Sequence, residues 1–380
     1  MKCHASRLRG AHRCAALPVG VAVLWVVLTM PAQGQEFFPA DSFLRGFTVS
    51  PPMISRQIPL AEFGHLTAMD PEAEAPFWTL SQWFCVESLS DEHRTLSGRD
   101  RSVWENDYQG LEVRVDEDGH PVVSLTVDSL AVYREMSLTY EQMGRRRPHV
   151  LLGHNFYPDF DGVRRYGGAE DKDTTPDGTT FPDLDAFEEL TLSMSLRLAE
   201  ATDLRHEYAV DDAENRRRHY NRNCFQFWFR VYCRDPHSPY HGRFFWLGYR
   251  AYDGEVPYQS HIPHVRDQIE SDGNATYAYR LCDRSVHGDD YAAKLAAFHA
   301  GTRTTLTIDV LEAARTAIGA IQAEKDDFLD AEDDLGGYTI SSFNIGWEPA
   351  SPFRGTMVIR DLSLRGVPLG DVSPDSQQAG

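Results

Sequence analysis

Strict period-two alternation is the feature that most limits what this chain can fold into. Leu190, Leu192, Met194, Leu196 and Leu198 fall on one side of a continuous stretch, with Thr191, Ser193, Ser195 and Arg197 on the other. Successive side chains of a strand point to opposite faces, so this pattern fits a half-buried β-strand and not a helix. Residues 122–128 alternate in the same way, with Val123, Leu125 and Val127 on one face. Segments 224–233, 243–253, 303–310, 338–348 and 355–365 also read as strands. Turn dipeptides fall between strands or at their ends: Asp118-Gly119, Asp177-Gly178, Asp253-Gly254, Asp272-Gly273 and Gly336-Gly337. Helical periodicity is confined to 290–299 and to 311–325, where Leu311, Ala314, Ile318 and Ile321 share a face. The expected fold is all-β, an antiparallel sandwich or jelly roll with a few short helices in its connections.

Residues 1–34 have the layout of a secretory signal peptide. Lys2, Arg7, Arg9 and Arg13 precede an apolar run at 19–30, and Ala32-Gln33-Gly34 offers small residues for cleavage before Gln35. The expected location is secreted or periplasmic, with no membrane insertion after cleavage. Residues 35–76 are rich in proline and lack periodicity, and are expected to form an extended wrap. Residues 77–370 make one jelly-roll domain, and 371–380 a flexible tail. With 57 acidic and 37 basic side chains the chain carries a formal charge of −20. That balance argues against nucleic acid, which needs a basic footprint to displace counterions.

An oxidising compartment would favour disulfides among Cys85, Cys224, Cys233 and Cys282. Cys224 and Cys233 lie at the two ends of one strand, about 30 Å apart, and cannot pair with each other. Cys85 with one of them and Cys282 with the other is one arrangement; four free thiols is the other.

The two faces of segment 224–233 differ in chemistry. Phe225, Phe227, Phe229 and Val231 form a core face, while Gln226, Trp228, Arg230 and Tyr232 point the other way. A flat aromatic stacks on a sugar ring while amide and guanidinium groups bond its hydroxyls. Segment 338–348 repeats the division: Phe343, Ile345 and Trp347 face the core, and Ser342, Asn344, Gly346 and Glu348 face away. A carboxylate beside apolar surface can serve as a general acid, which makes Glu348 the candidate catalytic residue. Gln226, Trp228, Arg230, Tyr232 and Asn344 are the candidate ligand-binding residues. Segment 243–253 adds Trp246, Tyr249, Tyr252 and Asp253, with a parity that does not say which of them share this face.

The stretch NIGWEPASPFRGTMVIRDLSLRG resembles the closing strands of concanavalin A-like lectin/glucanase jelly rolls, and most of all jelly-roll endoglucanases. The resemblance covers the C-terminal strands; the middle strands are alike in pattern only. It implies a polysaccharide or oligosaccharide held in a cleft, with Glu348 matching the acid/base Glu of the late Gly-x-Glu strand. Those enzymes place their nucleophile on a central cleft strand, where this chain has Gln226 and Arg230 and no acid. Glycoside hydrolysis needs a second carboxylate, for which Asp253, Glu188 and Glu189 are the candidates. Two other chemistries stay open. Jelly-roll polysaccharide lyases use the residue types of Gln226, Arg230, Tyr232 and His154. A carbohydrate-binding protein without turnover needs only the aromatics and amides.

No cofactor is required by any of these chemistries. A structural calcium is a candidate at the oxygen-rich loop of Asp171, Asp173 and Asp177, because calcium takes six to eight oxygen ligands.

Overall fold

The computed structural model describes residues 34–50, 64–69, 72–98, 100–138, 142, 147–155, 181–208, 223–235, 237–238, 241–254, 264–269, 275–324 and 335–370. Residues 1–33 of the expected signal peptide, Asp171, Asp173 and Asp177 of the expected calcium site, and residues 371–380 of the expected tail lie outside the described residues.

The alternating leucines of segment 190–198 end up in the interior: Leu190, Leu192, Met194 and Leu196 are at most 1% exposed. They belong to a strand longer than the alternation itself, Phe187–Asp203. In chain order the strands are β1 (Gln35–Glu36), β2 (Phe47–Val49), β3 (Gly64–Leu66), β4 (Trp78–Trp83), β5 (Arg94–Ser97), β6 (Arg101–Glu105), β7 (Gln109–Val115), β8 (Pro121–Asp128), β9 (His149–Asn155) and β10 (Phe187–Asp203). They continue as β11 (Cys224–Cys233), β12 (Phe244–Asp253), β13 (His264–Ile269), β14 (Ala275–Arg280), β15 (Thr304–Asp309), β16 (Tyr338–Glu348) and β17 (Phe353–Pro368). Four α-helices are described: α1 (Ser129–Glu135), α2 (Asp283–His287), α3 (Tyr291–His299) and α4 (Val310–Glu324).

Two sheets form the sandwich. An eight-stranded sheet runs β15-β10-β17-β8-β7-β6-β5, with β1 added to β17. A nine-stranded sheet runs β13-β14-β12-β11-β16-β9-β4-β2-β3. Pairing is antiparallel except for β12 with β14 and β2 with β4. The all-β sandwich expected from alternation is therefore the observed fold. Segments 47–49 and 64–66, which show no periodicity, are β2 and β3, the last two strands at one end of the nine-stranded sheet. Three residues are too few to display a period.

The core is the apolar side of both sheets. Val123, Leu125 and Val127 of β8 and Met357 and Ile359 of β17 share one cluster with Phe225, Phe227 and Phe229 of β11 and Phe343, Ile345 and Trp347 of β16. Full burial of each such side chain is worth roughly 1.5–3 kcal/mol. The Trp347 Nε1–H donates to the Leu125 carbonyl at 3.0 Å, so one buried polar bond ties the nine-stranded sheet to the other. Helix α4 buries Val310, Leu311, Ala314, Ala317, Ile318 and Ile321, a stripe at helical spacing.

The disulfide expectation is not met. Cys85, Cys224, Cys233 and Cys282 are all buried and none is joined in a disulfide. Three of the sulfurs have found different local partners. Cys85 Sγ lies 3.6 Å from the His149 carbonyl, Cys224 Sγ 3.6 Å from the Glu348 carbonyl, and Cys282 Sγ 3.5 Å from Ser285 Oγ. Burial pushes the Cys85 and Cys224 thiols up to about 12, the state of inert structural cysteines.

Candidate functional site

Gln226, Trp228, Arg230 and Tyr232 of β11 and Ser342, Asn344, Gly346 and Glu348 of β16 lie on the outer face of the nine-stranded sheet, opposite the core. Their neighbours follow from register, because directly paired residues share a face. At one end Cys224 pairs with both Asp253 and Glu348. His149 continues this row beyond Glu348, its Nε2 lying 3.9 Å from Glu348 Oε2, and pairs in turn with Trp83. The row therefore reads Asp253, Cys224, Glu348, His149, Trp83 across five strands. The next row is Arg250, Gln226, Gly346, Leu151 and Ser81. The third is Gly248, Trp228, Asn344, Gly153 and Thr79. The fourth begins Trp246, Arg230, Ser342.

Local sequence explains three features of this surface. In β12, Arg250 and Asp253 are three apart and by simple alternation would face opposite ways. A β-bulge intervenes: Phe225 pairs with Tyr252, yet Gln226 pairs with Arg250, which leaves Ala251 as the extra residue. Arg250 and Asp253 thereby share the outer face, and their side chains meet at 3.0 Å. Tyr249 and Tyr252 are directed into the core. In the third row, a side chain on Gly248 would collide with the Trp228 indole, so the ring lies over that glycine. Gly153 is the reverse case. A Cβ there would meet nothing closer than the Phe343 carbonyl at 3.8 Å, so the surface beside Asn344 steps down into open space.

Glu348 is held by the turn on its C-terminal side. That turn, Pro349-Ala350-Ser351, is fastened from three directions. Asn223, fully buried, accepts the N–H groups of Ala350 and Ser351 on its Oδ1, each at 3.1 Å, and donates from Nδ2 to Ser351 Oγ at 2.8 Å. Tyr133 donates its hydroxyl to the Pro349 carbonyl at 3.1 Å. Ser129 Oγ donates to the Ser351 carbonyl at 2.7 Å. The carboxylate thus projects from a fixed strand end and not from a loop.

Of the two acids at this end, Asp253 has a cationic partner. Arg250 binds Asp253 and also donates from Nε to the Gln226 side-chain carbonyl at 3.1 Å. Glu348 has His149 beside it, and burial lowers the imidazole pKa; Glu348 pulls it up and Arg147 pushes it down again. At the other end the Arg230 guanidinium lies 3.8 Å above the centre of the Phe244 ring, a cation–π contact.

Glu348, Trp228, Arg230, Tyr232 and Asn344 are half-buried on the outer side of the sheet. They do not form one tight cluster. Glu348 and Asn344 are four residues apart on one strand, which is about 13 Å. Gln226 departs from its expected role: it is 4% exposed and its carbonyl is occupied by Arg250, so it supports Arg250 and does not meet a ligand. His154 lies on the core side, where it pairs with Phe343, stacks on Phe77 at 3.8 Å and bonds the Phe77 carbonyl through Nδ1. A lyase set built from Gln226, Arg230, Tyr232 and His154 is therefore not assembled. Glu188 and Glu189 lie on β10, in the other sheet, and cannot partner Glu348. Among the described residues, no group of three or more His, Cys, Asp or Glu side chains is placed to hold a metal.

Of the acid row, Trp83 is not among the candidates that sequence pattern singles out, and His149 is marked only as one of two histidines, with His154, that flank an apolar run and of which one could reach the cleft. Trp83 carries a usable signal: it is five residues after the buried Trp78 on one strand, an odd spacing that puts it on the opposite face. His149 is hidden, because Val150, Leu151 and Leu152 after it are all buried and show no alternation.

No protein-family model and no curated protein matches this chain. Among solved structures it overlaps an endoglucanase from Rhodothermus marinus at 9% identity and TM-score 0.31, covering 70% of this chain and 90% of that one. A family 12 xyloglucanase from Bacillus licheniformis, in complex with ligand, overlaps at 7% identity and TM-score 0.35, covering 71% and 94%. Endoglucanase 3 from Trichoderma harzianum overlaps at 10% identity and TM-score 0.29, covering 78% and 100%. Similarity this loose carries no statement about function, which has to be argued from the side chains.

Proposed function

We propose that the protein binds a neutral polysaccharide along the outer face of the nine-stranded sheet. The observation that carries this reading is the third row, where the Trp228 indole covers Gly248 and is followed by Asn344, Gly153 and Thr79. An indole platform beside a short amide, a hydroxyl and a step of empty space suits sugar rings, whose faces are apolar and whose rims are hydroxylated. The ligand is a chain and not a single sugar, because the Trp228 row and the Glu348 row are about 13 Å apart along the strands. It is neutral because Arg250 and Asp253 satisfy each other and the chain as a whole carries −20, which repels polyanions.

Hydrolysis is the second reading, and one observation favours it. Glu348 and Asp253 occupy the same row on the same face, separated by the Cys224 strand. Two strand spacings set their backbones about 10 Å apart, the scale on which an inverting pair with an intervening water operates. In this reading Glu348 is the acid, and Asp253 must leave Arg250 to act as base.

Retardation in gels containing neutral β-glucans, xyloglucan or mannan tests the binding reading. Trp228→Ala is expected to reduce affinity at least about tenfold, the loss of one stacked ring, with the unfolding midpoint unchanged. Gly153→Ile is expected to do the same by filling the step, while leaving stability equal or slightly higher, since a β-branched residue suits a strand better than glycine. Wild-type retardation that survives both changes would remove this row from the ligand path. New reducing ends that vanish in Glu348→Gln would select the hydrolytic reading.

A further inference from the structure

The outer face of the eight-stranded sheet carries a trough of about 530 Å³, a size that suits a small ligand. Its floor follows from register. Trp104, Leu111, Leu125, Met357 and Leu198 are paired across five strands and belong to the core, so the residues beside them face out. One outward row reads Glu105, Gly110, Thr126, Thr356. The next reads Val103, Glu112, Ser124, Val358, Arg197. Gly110, Ser124, Thr126 and Thr356 are short, and longer side chains stand around them, which opens the space. On the β10 side a β-bulge inserts Ala199 between the pairs Leu198–Met357 and Glu200–Thr356, and its short side chain also lines the trough.

The cations around this trough are matched by acids, with one exception. Glu112 meets Arg101 at 2.8 Å and Arg114 at 3.9 Å. Arg354 donates from Nε to Asp128 at 2.9 Å. Arg197 is half-buried and has neither a carboxylate nor a hydrogen-bond acceptor in contact among the described residues. Its guanidinium is a fork of donors with nothing to receive them. Glu105 and Asp107 are exposed on the opposite rim, where water screens their charge. Between the two sides, the hydroxyls of Thr126 and Thr356 lie 3.0 Å apart. One donates to the other, and the second keeps its proton for a ligand.

We propose that this trough binds an oligosaccharide bearing a single carboxylate, with the carboxylate on Arg197 and the neutral rings over Ser124, Thr126 and Thr356 towards Glu105. One unmatched guanidinium calls for one anionic group, and a planar carboxylate fits its fork with two parallel hydrogen bonds. The rest of the surface suits hydroxyls: threonine and serine on the floor, and carboxylates at the far rim that accept from a sugar and repel a second anion. A polyanion is disfavoured by those acids and by the charge of −20 on the chain. From β6 to β10 the trough crosses four strand spacings, about 19 Å, which is longer than one sugar ring. The trough and the Trp228 row belong to different sheets, so each ligand has its own face.

Titration calorimetry on the whole protein tests this with a trisaccharide ending in glucuronic acid, the same trisaccharide as its uncharged glucuronamide, and an oligogalacturonate. The acid is expected to bind at least about tenfold more tightly than the amide, the difference made by hydrogen bonds to a charged group. Arg197→Gln should bind the two alike. Gly110→Leu should weaken the acid by a similar factor, since a Cβ at Gly110 meets nothing closer than Thr126 Cβ at 3.5 Å and the rest of the side chain fills the floor. Urea unfolding of both variants shows that they are folded. Equal affinity of the wild type for acid and amide, which needs no variant to measure, would overturn the proposal. So would a preference for the acid that survives in Arg197→Gln, or no binding of the acid by folded wild type. Tighter binding of the oligogalacturonate would contradict the single charge. Displacement of the acid by saturating neutral β-glucan would move it to the Trp228 face and also overturn the assignment. Retention on neutral polysaccharide with no binding of the acid would sink the trough alone and leave the Trp228 row standing.

Discussion

Asn223→Ala is expected to lower the unfolding free energy by about 3 kcal/mol, a large loss for one uncharged side chain. Asn223 has no exposed surface, and its amide serves the turn after Glu348 with both ends. Alanine leaves the N–H groups of Ala350 and Ser351 buried without an acceptor, and Ser351 Oγ without its donor. Each stranded group costs roughly 1–3 kcal/mol, because water cannot replace the lost partner. Ser129 and Tyr133 still hold the carbonyl side of the turn, so the fold should survive. The direction of Glu348 should not be preserved, since the anchor lies within three residues of it. Urea unfolding measures the first effect, and loss of whatever Glu348 contributes to ligand retention measures the second. A destabilisation below about 1 kcal/mol would mean that the carbonyl-side anchors suffice.

The second large effect is acid sensitivity through His287. Tyr249 donates its hydroxyl to Asp283 at 2.8 Å, and His287 Nε2 meets the same hydroxyl at 3.0 Å. Asp283 and His287 are 1% and 6% exposed, and His287 Nδ1 is buried without a hydrogen-bond partner among the described residues. Burial lowers the His287 pKa to about 4; Lys294 lowers it further and Asp290 opposes. The unfolded chain takes up this proton near pH 6.5 and the folded chain only near 4. Between those values the unfolded state binds more protons, so stability present above pH 6.5 is lost as pH falls towards 4. The gap corresponds to about 3 kcal/mol. His149, also lowered by burial, adds loss in the same direction, so the diagnostic is a difference between proteins. His287→Gln keeps a donor for Tyr249 and cannot charge. Its stability should change less between pH 6.5 and 4 than that of the wild type. Parallel curves would show that His287 does not carry the acid response.

Much of this architecture is legible in the order of residues, and the exceptions have physical causes. Alternation assigns Phe225, Phe227 and Phe229 of β11 and Phe343 and Trp347 of β16 to the core face they occupy, because one side of each strand is packed and the other is not; Tyr338 and Ile340 escape it, since Ser341 is an extra residue in a bulge opposite β11. Segment 243–253 defeats counting because Ala251 is an extra residue in the bulge, and only the pairing with β11 reveals that Arg250 and Asp253 share a face. Gln226 has the pattern of a ligand contact because parity gives its side of the sheet but not its depth. Its burial follows from Arg250, which lies on a different strand. His154 cannot be placed from its sequence context, since the apolar run before it is buried on both sides of the sheet. The cysteines mislead for a different reason: proximity of two thiols depends on strand order, and no pattern within a strand encodes it.

Gel retardation on neutral polysaccharides, comparing wild type with Trp228→Ala and Gly153→Ile at matched folded fraction, tests the central claim most directly. The expected result is retention of the wild type on at least one neutral polymer and its loss in both variants, one of which removes the platform while the other fills the step beside Asn344. Wild-type retention unchanged in both variants, or no retention on any polymer by a fully folded protein, would contradict it.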